Sequence, residues 1–206
     1  MEVKNRIMYH VHKVGIHDEI WKEENDFLVD ENYNSYYCSV MNDFSTAVRC
    51  NDDSFQSFDR IINYNLKDEQ FKNLDEEMVK RIFRECIRII RTTNIYNREC
   101  TLEKYRLDHY PDLPSRKHSL WLTNKKGLKH WEKIFLKKLK IEIYKVSVTG
   151  KLFKSSDNFL PDDELTVKEM YDDSERYWNP AFKTNKDERE AEYLFQGKVK
   201  IIEKIK

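Results

Sequence analysis

Polar and apolar residues alternate from Arg6 to Val14, with Ile7, Tyr9 and Val11 on one face and Met8, His10 and His12 on the other. A period of two predicts a strand. Lys140 to Thr149 alternates in the same way through Ile141, Ile143, Val146 and Val148, and predicts a strand of the main sheet that Gly150 turns into Lys151–Lys154. Ser119–Thr123 reads as a short strand, and 190–204 as a final strand pair or one strand bent at Gly197. Apolar residues recur at helical spacing from Asp75 to Arg91 (Met78, Val79, Ile82, Phe83, Cys86, Ile87, Ile90), with acids at the first turn and arginines at the last. A shorter helix is expected from Cys100 to His109, before Pro111 and Pro114 break the chain. Leu128, Trp131 and Phe135 mark a helix over about 125–138. Thr166, with Glu169 at the third helical position, opens one that runs to about Trp178. Residues 16–34 read as irregular, and 35–48 fit strand or helix equally.

These elements predict an α+β protein with a mixed, mostly antiparallel sheet flanked by helices 75–91, 125–138 and 166–178. Its 206 residues suit a single domain, 1–206, with a helical insert at about 50–110. Charge changes the picture by subtraction. The 37 basic and 37 acidic side chains cancel, which argues against a general polyanion binder. The lysine-rich helix at 125–140 leaves nucleic acid as a minority reading, behind a solvated helix face. No apolar run reaches the roughly 20 residues of a membrane helix, and Met1–Gly15 has no signal-peptide core. The expectation is a cytoplasmic protein with no membrane partner. Cys38, Cys50, Cys86 and Cys100 form no CxxC pair, so zinc is not expected and Cys86 reads as a core residue. With four glycines and no GxGxxG or GxxxxGK[ST], phosphate-cradling loops are excluded.

Three segments hold residues able to do chemistry. Tyr9-His10 places an imidazole on the first strand, suited to a ribose or to a structural partner. His12 and His17 suggest a metal only weakly, since no further ligand is spaced to complete the set. In the stretch from Pro114 to Thr123, Arg116 offers a planar fork for phosphate, Ser119 a hydroxyl and Trp121 a stacking ring. An ordinary loop with a surface arginine fits the same residues. Glu192 sits among Ala191, Tyr193, Leu194 and Phe195. A carboxylate there either steadies a sugar cation or faces solvent beside Glu190.

In this order, Tyr9-His10, Pro114-Ser115-Arg116, Trp131, Tyr177-Trp178 and Glu192-Tyr193-Leu194-Phe195 with Gly197, the chain resembles an uncharacterised family of bacterial proteins best known from bacilli. It is also similar to the wider ADP-ribosyltransferase-like fold, which implies a split β-sheet. That resemblance implies an NAD-dependent ADP-ribosyltransferase-like enzyme of toxin or phage-defence kind. His10 would hold the NAD ribose beside Tyr9, Ser119 would open the middle motif, and Glu192 would be the catalytic carboxylate, with Glu190 directing the acceptor. Arg116 and Trp121 are nominated for the nucleotide on their chemistry alone. NAD is then the substrate, with no metal and an unknown macromolecular acceptor. Ser119-Leu120-Trp121 departs from the Ser-Thr-Ser of that fold. The rival reading is a non-enzymatic nucleotide- or protein-binding module. The enzyme reading requires His10 and Glu192 to face one shared cleft.

Overall fold

The computed structural model describes residues 1–15, 18–33, 47–49, 55–57, 76–136, 140–182 and 189–206. In chain order these form β1 (Glu2–Lys13), β2 (Asp26–Val29), β3 (Ala47–Arg49), β4 (Phe55–Ser57), α1 (Glu76–His109), β5 (Leu120–Leu122), α2 (Leu128–Leu136), β6 (Ile141–Ser156), α3 (Val167–Trp178) and β7 (Ala191–Lys204). Expectations for residues 35–46 and for His17, Cys38 and Cys50 lie outside the described residues.

The fold is α+β, and every described strand pair is antiparallel. The parallel pairs implied by a mixed sheet are not found among the described residues. The main sheet runs β1-β6-β7-β2. The outer edge of β7 serves two partners, β5 at Tyr193–Phe195 and β2 at Gly197–Lys200. The sheet curls until β5 reaches β1, where Tyr9 and Thr123 exchange backbone hydrogen bonds of 2.9 and 2.8 Å. β3 and β4 pair separately.

Two glycines make this curl possible. β6 does not turn at Gly150 but continues to Ser156, and β7 is a single bent strand. Gly150 lies opposite Gly197 in the ladder, with φ of +149° and +137°. A Cβ on Gly150 would come within 2.3 Å of the Gln196 carbonyl oxygen, and one on Gly197 within 2.5 Å of that of Thr149. Without side chains the two strands approach closely at their bend.

The sequence pattern holds in most elements, and beyond the continuation of β6 it departs from the structure in three ways. β2 forms within the stretch expected to be irregular. α1 joins the two helices expected at 75–91 and 100–109. Residues 92–99 are moderate helix formers, but they contain neither glycine nor proline. Thr92, Thr93 and Thr101 return their hydroxyls to carbonyls one turn back. The third departure is burial. From Glu76 to Arg98 no described side chain of α1 is buried, and Cys86, expected in the core, is half-buried. α3 behaves as expected, with the Thr166–Glu169 capping box formed.

The sheet separates two cores. Met8, Trp21, Leu120, Leu122, Val146, Tyr193 and Phe195 fill one side. Leu102 and Tyr105 of α1, Tyr177 and Trp178 of α3, and Phe153 and Leu194 of the sheet fill the other. Trp178 ties that layer together by donating Nε1–H to the Leu102 carbonyl at 2.8 Å.

Substituting Ala for Gly150 or Gly197 is expected to cost at least about 2 kcal/mol, because a Cβ meets backbone at a positive φ. Urea denaturation of each variant measures it. A change below about 0.5 kcal/mol would remove the close approach as the cause of the bend.

Candidate functional site

A charged network lies inside the second core. Arg116, in the short helical turn Arg116–His118, is 4% exposed, and its partners Glu99, Glu192 and Tyr177 are 1%, 4% and 0% exposed. Arg116 Nε donates to Glu99 Oε2 at 2.8 Å and Nη2 to Oε1 at 3.3 Å. Nη1 donates to Glu192 Oε1 at 2.7 Å and to the Tyr177 hydroxyl. The Tyr177 hydroxyl in turn donates to Glu192 Oε1. The guanidinium lies over two rings, 4.8 Å from the centre of Tyr177 and 5.4 Å from that of Trp121.

Four segments supply this cluster, each for a local reason. Ser115 caps the turn by accepting the Lys117 amide, which fixes where Arg116 leaves the chain. Glu99 projects from the part of α1 that first becomes buried. Tyr177 stands with Met170 and Ser174 on the inward face of α3. Glu192 shares the inward side of β7 with Leu194. A second pair lies one turn along α1. Arg106 grips Glu103 with Nε and Nη2 at 3.2 and 2.8 Å, and gives Nη1 to the Pro111 and Leu113 carbonyls at 2.8 and 3.0 Å. Ser115 Oγ donates to the same Glu103 at 2.8 Å. The two networks staple the segment from Pro111 to Arg116 onto α1.

Burial alone would lower the proton affinity of Arg116, but the facing Glu99, with Tyr177 and Glu192, raises it well above its ordinary value. Burial pushes the Tyr177 phenol up, against the pull of Arg116 and with the help of Glu192, so it stays a neutral donor.

His10 lies elsewhere. Its ring stacks on Trp21, a member of the first core, with centroids 4.2 Å apart and planes 13° from parallel. Its Nδ1 is 2.8 Å from the Trp121 carbonyl oxygen. Burial, followed by nearby His12, outweighs that hydrogen bond and lowers its pKa to about 3. The ring is therefore neutral near pH 7, with Nδ1–H as donor. The strands of the motif do meet: β1 bridges β5, and β5 pairs β7. Register then separates the side chains. Glu192 contacts Tyr177 of the second core, whereas His10 packs with Trp21 of the first. Alternation places Tyr9 on the face of β1 opposite His10. The shared cleft expected between His10 and Glu192 is not formed by the described residues.

The remaining nominees gather around Glu192. Arg116 bonds it, and Trp121 lies against Arg116. Ser119 is fully buried in the adjoining segment, and its hydroxyl has no hydrogen-bond partner among the described residues. Glu190 instead accepts from Asn158 at the surface. His12 bonds Asp18 at 2.7 Å, and among the described residues no three metal-binding side chains cluster. Sequence reasoning missed Glu99, Glu103, Arg106 and Tyr177. The signal available was the i, i+4, i+7 spacing of Glu99, Glu103 and Arg106, a polar stripe beside Leu102 and Tyr105.

These features define an α+β protein whose antiparallel sheet carries a buried, charge-compensated cluster under two helices. The chain belongs to the family described as protein of unknown function DUF2441, whose model matches residues 8–206. No curated protein matches the chain. Among the described residues, no helix is long and apolar enough to cross a membrane.

Two predictions follow from the geometry. Arg116→Met leaves Glu192 with only the Tyr177 hydroxyl and Glu99 with Arg98 at 3.6 Å, and is expected to lose about 3–5 kcal/mol in urea denaturation. Pairing it with Glu99→Gln in a double-mutant cycle should return part of that loss; strict additivity would mean that the two groups do not interact. His10 binds its proton less readily when folded than when unfolded, so the unfolded state carries the extra proton between about pH 3 and 6.5. Its contribution is complete above pH 6.5 and is lost as pH falls toward 3, at up to about 1.4 kcal/mol per pH unit. His10→Asn, which keeps a donor near Nδ1, should flatten the stability curve over that window. An unchanged slope would mean that His10 titrates normally.

Proposed function

We propose that the protein is a non-enzymatic, protein-binding module built on an ADP-ribosyltransferase-like frame. The adjacency of β1, β5 and β7 supports the frame, since these strands carry the first, middle and last motifs of that resemblance. One observation carries the non-enzymatic reading: Glu192 Oε1 receives both Arg116 and Tyr177, and the residue is 4% exposed. A carboxylate that steadies a ribosyl cation must reach the sugar, and at this burial Glu192 has almost no surface open to one. Freeing Glu192 would break a buried ion pair and leave Arg116 short of a partner, at a cost of about 3–5 kcal/mol. His10 is equally committed, with Nδ1 held by the Trp121 carbonyl and its ring face covered by Trp21. NAD or a related nucleotide would thus meet two engaged side chains, one packed on Trp21 and the other bound to Arg116 and Tyr177.

The described surface supports a protein partner. Phe83, Ile87 and Ile90 of α1 are 64%, 49% and 58% exposed, in a row at helical spacing.

Incubation with NAD, followed by chromatography of nicotinamide, tests this reading. No release above the buffer rate is expected, and Glu192→Gln should lower thermal stability. Release by the natural chain that vanishes in Glu192→Gln, at a temperature where both are folded, would restore the enzyme reading and place Glu192 in the reaction.

A further inference from the structure

We propose that the groove between α1 and the turn preceding α3 binds a small zwitterion with an aliphatic side chain, a free amino acid of the leucine type. This goes beyond the binding-module reading and does not involve Glu192. The groove holds about 330 Å³, at the lower end of the roughly 300–1,000 Å³ of small-ligand sites. Ile87, Ile90, Arg91, Asn94 and Ile95 form its α1 side, and Asp163 and Glu164 stand across from them. At about 1.5 Å per residue, the α1 side runs for roughly 12 Å.

Both walls are set by the fold. Ile87 and Ile95 lie little more than two turns apart on one helix. On the opposite wall Asp162 closes a turn: its Oδ1 accepts the Glu164 amide at 3.0 Å, and its carbonyl accepts the Leu165 amide at 3.4 Å. Thr166 then caps α3. Arg98, one turn beyond Asn94, stands 3.9 Å from Asp163 and 3.6 Å from Glu99, which links this wall to the Arg116 network.

The lining carries uncommitted groups of both signs. Among the described residues, the side chains of Arg91, Asn94 and Glu164 make no hydrogen bond or ion pair. Arg91 does not bridge to Asp163 or Glu164, although all three line one hollow. Unlike charges therefore face each other across a gap floored by three isoleucines. A zwitterion fills such a gap. Its ammonium would meet Asp163 and Glu164, and its carboxylate the Arg91 fork and the Asn94 amide. Its aliphatic side chain would cover Ile87, Ile90 and Ile95. A simple anion would face two carboxylates, a simple amine would face Arg91, and a hydrocarbon would leave every charge unanswered. A partner helix, about 10 Å across, does not enter a hollow of this size.

Titration calorimetry of the full chain with L-leucine tests the site. Saturable binding with a Kd of roughly 0.1–1 mM is expected. Three analogues each lack one feature: isoamylamine the carboxylate, 4-methylpentanoate the ammonium, and glycine the side chain. Each should bind at least about tenfold more weakly. Arg91→Gln and Glu164→Gln should each weaken leucine at least about fivefold. Circular dichroism and the urea midpoint should not move in either variant, because both side chains are exposed and neither holds a partner among the described residues. The proposal is overturned by no saturation with leucine up to about 10 mM. It is overturned equally by any of the three analogues binding as tightly as leucine, or by full leucine affinity in either variant.

Discussion

Arg116 is the group on which the second core depends. It is a full charge placed where water does not reach, and such a charge is tolerated only when compensated from several directions. Glu99 from α1, Glu192 from β7 and Tyr177 from α3 supply that compensation, and Trp121 closes one side. Helix, helix, strand and connecting turn are thereby held by one side chain. Apolar packing alone would let α1 and α3 slide over the sheet; hydrogen bonds with fixed directions give them a single position. The neighbouring Glu103–Arg106 pair does the same for the turn after α1.

That architecture explains why nominated site residues can be neighbours and still share no site. The strands carrying His10, Ser119 and Glu192 do assemble, but strand chemistry has a period of two. One residue of difference in register sends an imidazole to the Trp21 side and a carboxylate to the Tyr177 side. Once on opposite faces, each group takes the partner its surroundings offer. The histidine becomes a neutral donor to a carbonyl, and the glutamate becomes half of a buried ion pair. In both, the polar group is held by a partner within the fold.

α1 divides along its length by the same logic. Its C-terminal part carries Glu99, Leu102, Glu103, Tyr105 and Arg106 into the core, and its N-terminal part leaves Phe83, Ile87 and Ile90 in water. The amphipathic pattern is continuous across the junction, so periodicity alone cannot say which turns are covered. Cover depends on what stands opposite. α3 and the turn at Arg116 stand opposite the second part, and the groove edged by Asp163 and Glu164 lies beside the first.

Much of the frame was legible in the residues. Alternation located β1 and the first part of β6, the short stretches at 119–123 and 190–204 read as strands, helical spacing located α2 and most of α1, and the Thr166–Glu169 pair marked the start of α3. Such signals are local, and a local pattern of polarity suffices to choose strand or helix. The mark of Gly150 was legible too, though not its meaning: a residue without a side chain suits a turn or a close approach of two strands, and only its pairing with Gly197 decides which. Glu192 could be seen as an acid in an apolar strand, and Arg116 as a fork seeking an anion. That each is the other's partner required positions 76 apart in the sequence to be folded together. Which face His10 occupies, which half of α1 is covered and whether a buried carboxylate remains free are properties of long-range packing, and they became determinate only when the elements met.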